Sequence, residues 1–129
     1  MKRIIPFLTI AVMLTVTGCQ QAGSQDGNLE ISPAPVTDLK VIMTTSQPPQ
    51  VSAQFKVGLR DTCTTFRDLT TSRSGNQINI KVTVQREKDK ICGQIYSFAE
   101  KTASLGSSFT PGQTYTVNVN DQTATFTAP

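Results

Sequence analysis

The feature that most constrains this chain is a strict period-two alternation of apolar and polar residues. Val51, Ala53, Phe55, Val57 and Leu59 alternate with Ser52, Gln54, Lys56 and Gly58. Ile78, Ile80, Val82 and Val84 alternate with Asn79, Lys81 and Thr83. Tyr115, Val117 and Val119 alternate with Thr116 and Asn118, and Ala124 and Phe126 with Thr123 and Thr125. Successive side chains of an extended strand point to opposite faces, so each run is a strand with one buried face. Weaker strands are expected over Leu39–Thr45, Phe66–Arg73 and Phe98–Leu105. Turn signals separate the runs: Pro48-Pro49, Ser74-Gly75-Asn76, Pro111-Gly112 and Asn120-Asp121. Asn120-Asp121 suits a two-residue hairpin, because Asn and Asp tolerate positive φ. No stretch carries a helical stripe. About seven short strands with closely spaced turns predict a single all-β domain over residues 36–129, an antiparallel β-sandwich of immunoglobulin-like type. A small barrel is the alternative. With no Trp to fill a core, an antibody-type domain is not implied.

The N-terminus reads differently. Lys2 and Arg3 precede an apolar run, Ile4 to Val16, which is shorter than the roughly 20 residues a membrane-spanning helix needs. It fits a secretory signal over residues 1–18. Val16-Thr17-Gly18-Cys19 resembles the bacterial lipobox, with an aliphatic residue three before the Cys and a small residue just before it. The resemblance implies that Cys19 becomes the mature N-terminus and carries lipid on its sulfur. A Cys is required because its thiolate is the nucleophile that takes the lipid. The implied location is the bacterial envelope. Gln20 stands where an inner-membrane retention signal often has Asp. In a cell with two membranes the protein is therefore expected on the periplasmic face of the outer one, and otherwise on the outer face of the plasma membrane. Residues 19–35 are expected to be the lipidated end and a flexible tether, rich in Gly, Ser, Asp, Asn and Pro, with only Leu29 and Ile31 as bulky apolar residues.

Two cysteines remain. Cys63 follows the Val51–Leu59 strand and Cys92 follows the Ile78–Val84 strand. The hairpin expected between them turns at Ser74-Gly75-Asn76, so both cysteines lie beyond its open end. An exported domain meets an oxidising compartment. The expectation is a Cys63–Cys92 disulfide, worth about 3–4 kcal/mol on the chain-entropy account. A redox pair, a metal site or two free thiols are the alternatives. A redox motif usually places its cysteines two residues apart, and a metal site wants further ligands.

Little in the sequence points to turnover. The chain has no His, which excludes imidazole triads and His-ligated zinc. No G-x-S-x-G elbow and no phosphate-cradling Gly-rich loop occur. No catalytic residue, cofactor or metal is expected. Removing Lys2 and Arg3 takes the charge from 12 basic against 9 acidic to 10 against 9, a net +1. That gives no field for nucleic acid. Asp61 is expected to bond locally to backbone at a strand-to-loop junction. Arg86-Glu87-Lys88-Asp89-Lys90 is expected to be a solvated loop tip, and Asp68 to face outward. Tyr96, Phe98 and Phe109 are expected in the core or against a strand edge, with a binding patch as the alternative.

The block from Val51 to Phe126 resembles a family of small bacterial lipoproteins and exported domains. The resemblance rests on Gly58-Leu59, Asp61-Thr62-Cys63-Thr64, the later Cys92, and Gly112-Gln113-Thr114-Tyr115-Thr116-Val117-Asn118-Val119-Asn120. Arg60 stands where the pattern often has Pro, and Asp121 where it often has Gly. The resemblance implies a disulfide-bearing β-sandwich and no particular activity. The functional expectation is a membrane-anchored, non-enzymatic binding or structural module, held to the membrane through lipid at Cys19 and contacting an envelope protein or wall polymer. The candidate contact loops are Arg60–Thr65, Arg86–Gly93 and Leu105–Gln113. The alternative is an inhibitor of a secreted or envelope hydrolase.

Overall fold

A computed structural model describes residues 25–129. A single 3-10 turn, Gln25–Asn28, leads into eight strands: β1 Leu29–Pro33, β2 Val36–Met43, β3 Val51–Leu59, β4 Thr65–Ser74, β5 Gln77–Glu87, β6 Ser97–Gly106, β7 Thr114–Val119 and β8 Gln122–Thr127. The strands make two sheets, so the fold is a β-sandwich and not a barrel. One sheet has the order β2-β3-β6. In the other, β5 pairs with β4 along one side and with both β1 and β7 along the other, and β8 lies outside β7. All pairings are antiparallel except β5–β7, which is parallel. Among the described residues no helix is long and apolar enough to cross a membrane.

The alternation does what its period requires. Val51, Ala53, Phe55 and Val57 of β3 face Ile78, Ile80, Val82 and Val84 of β5, joined by Tyr115, Val117 and Val119 of β7 and by Phe126 of β8; all are buried. The intervening Gln54, Asn79 and Lys81 are exposed. Removing these apolar side chains from water is the main force holding the sheets together, at about 25 cal/mol per Å². Two expected turns close two-residue hairpins. Ser74 pairs with Gln77 across Gly75-Asn76, and Val119 with Gln122 across Asn120-Asp121. Gly75 has φ 58° and Asn120 φ 52°, the left-handed region that these residue types enter at low cost.

The N-terminal boundary differs from expectation. The tether was expected to run to residue 35, but Leu29–Pro33 is a strand, paired antiparallel with Thr83–Glu87. Ala34 and Val36 are in the core. The sandwich therefore begins at Leu29, seven positions before the expected start at residue 36. Its ladder on β5 is made of backbone bonds, which composition does not reveal, and Ile31 remains 44% exposed.

Asn120 explains how two strands share one side of β5. Its amide group accepts the Val82 N–H at 2.9 Å and donates to the Val82 carbonyl at 3.0 Å and the Ala34 carbonyl at 2.7 Å. The side chain thus imitates a peptide unit in the gap between the end of β7 and the end of β1. It satisfies backbone groups that would otherwise be orphaned in a partly buried place.

Candidate functional site

The register puts defined loops at each end of the sandwich. Leu59 pairs with Ser97, Thr65 with Gln85, and Leu29 with Glu87. The start of β1, the β3–β4 loop and the β5–β6 loop therefore share one end. Of the three expected contact loops, Arg60–Thr65 and Arg86–Gly93 meet there. Leu105–Gln113 lies at the opposite end, where the Ser108 carbonyl accepts a bond from Arg73 Nη1 at 2.7 Å.

Three kinds of interaction join the two loops at the first end. Cys63 and Cys92 form a disulfide with Cα atoms 5.6 Å apart. Thr62 and Gly93 exchange bonds, the Thr62 N–H donating to the Gly93 carbonyl at 3.1 Å and the Gly93 N–H to Thr62 Oγ1 at 2.8 Å. The third is ionic. Asp61 is buried at 6% exposure, and Arg86 Nε donates to its Oδ2 at 2.7 Å. Asp61 Oδ1 accepts from the Cys63 N–H at 3.0 Å, the Thr64 N–H at 2.8 Å and the Thr64 hydroxyl at 2.7 Å. The local bond to backbone expected of Asp61 is present.

These partners fix the protonation state of Asp61. The Thr64 hydroxyl contributes most, followed by the Arg86 guanidinium and the two backbone N–H groups. Burial opposes them, and the carboxyl is held down at about 2 from its usual 3.8. Asp61 is an anion at any physiological pH, with both oxygens engaged, which makes it a structural acceptor and not a general base. The ligand atoms of Asp61, Cys63 and Cys92 lie within 4.8 Å of one another. Both sulfurs are in the disulfide, so metal ligation there requires reduction first.

Arg86 departs from the solvated loop tip expected of its run. It ends β5 with Glu87, its side chain is only 18% exposed, and it reaches across to Asp61. Glu87, Lys88, Asp89 and Lys90 are exposed as expected, as is Asp68. Phe109 is half-buried against the core, also as expected. Tyr96 and Phe98 are not in the core. They are 52% and 54% exposed, with rings edge to face at 5.2 Å. Ile91 is 100% exposed and Ile95 66%. The Tyr96 ring lies over Gly58, where a Cβ would collide with it. Gly58 is therefore a gap in the outer face of β3 that an aromatic ring covers, and its place in the alternation gives no hint of this.

Several shallow depressions lie on the surface, two of which adjoin residues described above. One, of about 400 Å³, is open and charged, with Gln54, Lys56, Glu100 and Lys101 in its lining. The other, of about 140 Å³, lies between Pro35, Gly58, Arg60 and Arg86 beside the disulfide end. Cys19, the expected lipidation site, lies outside the described residues.

A two-sheet domain whose loops are clamped at one end by a disulfide and a buried ion pair defines a class of small, disulfide-braced β-sandwich. Within that class the chain belongs to the ORF11 beta-sandwich domain family, whose model matches residues 53–128. The match starts inside β3, so β1 and β2 precede it. A 10.2 kDa protein in HgiCIIM 5'region of Herpetosiphon aurantiacus is 36% identical over 86 residues, 67% of this chain and 90% of that protein. A 10.2 kDa protein in HgiBIM 5'region of the same organism is 40% identical over 76 residues, 59% of this chain and 92% of that protein. No solved structure matches the chain significantly.

Proposed function

We propose that the chain is a lipid-anchored, extracytoplasmic module of the bacterial envelope that works by contact and not by turnover. The observation that carries this reading is Val16-Thr17-Gly18-Cys19, standing directly after a basic start and an apolar run. The disulfide supports it independently, because such bonds persist outside the reducing cytosol. Two or more acyl chains on Cys19 would hold the domain stably at about 0.8 kcal/mol per buried methylene. The anchored face is the periplasmic side of the outer membrane where two membranes exist, and the outer side of the plasma membrane where one does. The partner in this reading is an envelope protein or wall polymer.

The hydrolase-inhibitor alternative has less support. A braced loop inserted into a cleft needs projecting side chains, and in Asp61–Thr65 both Asp61 and Thr64 are buried.

Growth with radiolabelled palmitate tests the anchor. The native chain is expected to take up label and fractionate with membranes, and Cys19→Ser to do neither. An unlabelled native chain overturns the reading.

A further inference from the structure

We infer that the Ile91–Phe98 segment is a second membrane contact, laid against the bilayer beside the lipid on Cys19. The inference rests on the anchored reading and extends it to the orientation of the domain. Four exposed apolar side chains, Ile91, Ile95, Tyr96 and Phe98, fall within one loop and the first two residues of the following strand. Large apolar side chains left exposed this close together in the chain mark a place where something covers them.

The chain path says what covers it. The Lys88 N–H donates to the Asn28 carbonyl at 3.0 Å, and Leu29 pairs with Glu87. The loop thus begins where the segment leading from Cys19 enters the sandwich. Cys19 stands nine positions before Asn28, which allows at most about 30 Å of reach. A bilayer holding the lipid is within that radius at all times, so even a weak apolar contact is populated through effective concentration. Ile91 and Ile95 supply the apolar insertion, bordered by Phe98 and by the Tyr96 ring seated on Gly58. The flanking charges Glu87, Lys88, Asp89 and Lys90 cancel. The contact is therefore apolar and indifferent to headgroup charge. The disulfide and the Asp61–Arg86 pair fix the loop from behind, so little ordering remains to be done on contact. The Leu105–Gln113 end then faces away from the membrane, toward partners.

The chain contains no Trp, which makes single-Trp variants clean depth probes. Ile91→Trp and Ile95→Trp replace exposed side chains and leave the core untouched; Ser108→Trp marks the opposite end. Each processed, full-length protein is labelled with palmitate in cells and reconstituted into phosphatidylcholine vesicles with and without brominated acyl chains. The Ile91 and Ile95 probes are expected to shift to the blue and lose roughly twofold in intensity to bromolipid, as for side chains at the headgroup–acyl boundary. The Ser108 probe is expected to stay water-like. Labelled protein with water-like probes at both isoleucines overturns the loop contact and leaves the anchor standing. A blue shift without bromolipid quenching means that protein, a second copy or another chain, covers the loop, and overturns the contact as well. Unlabelled protein that stays off the vesicles overturns both readings.

Discussion

The two ends of the sandwich are closed by different chemistry. At the end where β1 begins, closure is covalent and ionic: the Cys63–Cys92 bridge, the Asp61–Arg86 pair and the exchanged Thr62–Gly93 bonds. At the other end it is aromatic. Phe109, Tyr115 and Phe126 contact one another at centroid distances of 4.9, 5.2 and 5.4 Å, and the Arg73 guanidinium lies 4.7 Å from the Phe109 centroid. The aromatic end spends its large apolar side chains on its own closure. At the bridged end Ile91, Ile95, Tyr96 and Phe98 are exposed instead.

The largest expected effect is at the aromatic end. Phe126 is 7% exposed and stacks on Tyr115. Phe126→Ala is expected to cost about 3–5 kcal/mol, through lost transfer energy and the cavity left behind. Urea unfolding measures it. The same loss with the disulfide oxidised or reduced would confirm that the ends are energetically separate, since distant sites add. A loss that changes with redox state would mean that strain passes along the sheets.

Opening the other end comes next. Removing the bridge with Cys63→Ala and Cys92→Ala is expected to cost about 3–4 kcal/mol. Limited proteolysis should then cut first between Lys88 and Tyr96, while the Leu105–Gln113 loop stays resistant. Simultaneous cutting at both ends would break the comparison.

The two ends also differ in how much of them the sequence displays. The core strands are legible because an alternating run has one stable way to bury its apolar set. The bridge is legible because a hairpin brings its flanks together, and Asp61 because an Asp two or three residues before free N–H groups bonds them. What is illegible is whatever depends on non-adjacent backbone. β1 is held by ladder bonds to β5 and has few apolar residues to announce it. Arg86 looks like one charge in a solvated run until the register brings it to Asp61, 25 positions away. Asn120 reads as a turn residue, and only the meeting of β1 and β7 beside Val82 gives its amide a second task. Tyr96 and Phe98 mislead most. Residue type predicts burial, but Gly58 opposite Phe98 offers the outer face of β3 a seat for Tyr96. Tyr96 and Phe98 therefore lie outside the core.

A smaller effect separates the ends by pH. Asp61 titrates at about 2 in the folded chain against an ordinary 3.8. A depressed folded value means that the stabilisation is fully present above the ordinary value and lost as pH falls toward the folded one. The urea midpoint is expected to fall between about pH 4 and pH 2. Asp61→Asn should be less stable at neutral pH, since Arg86 loses its buried partner, and should show a shallower fall across that window. The aromatic end has no carboxylate in its closure, so Phe126→Ala should leave the shape of the acid curve unchanged. An identical acid curve in Asp61→Asn would show that other carboxylates carry the dependence.

The smallest expected effect tests whether the aromatic end has an electrostatic component at all. Arg73 lies over Phe109 and also donates to the Ser108 carbonyl, and it is exposed to solvent. Arg73→Met keeps the apolar stem and removes both the cation and the donor. An exposed cation over a ring contributes about 0.5–1 kcal/mol. A double-mutant cycle with Phe109→Leu isolates that part, because the Ser108 bond is lost equally in both backgrounds. A coupling of this size makes Arg73 a lid on the rings. A coupling near zero leaves Arg73 with the Tyr115 ring at 5.1 Å and the Ser108 carbonyl, and the electrostatic part of this closure then does not pass through Phe109.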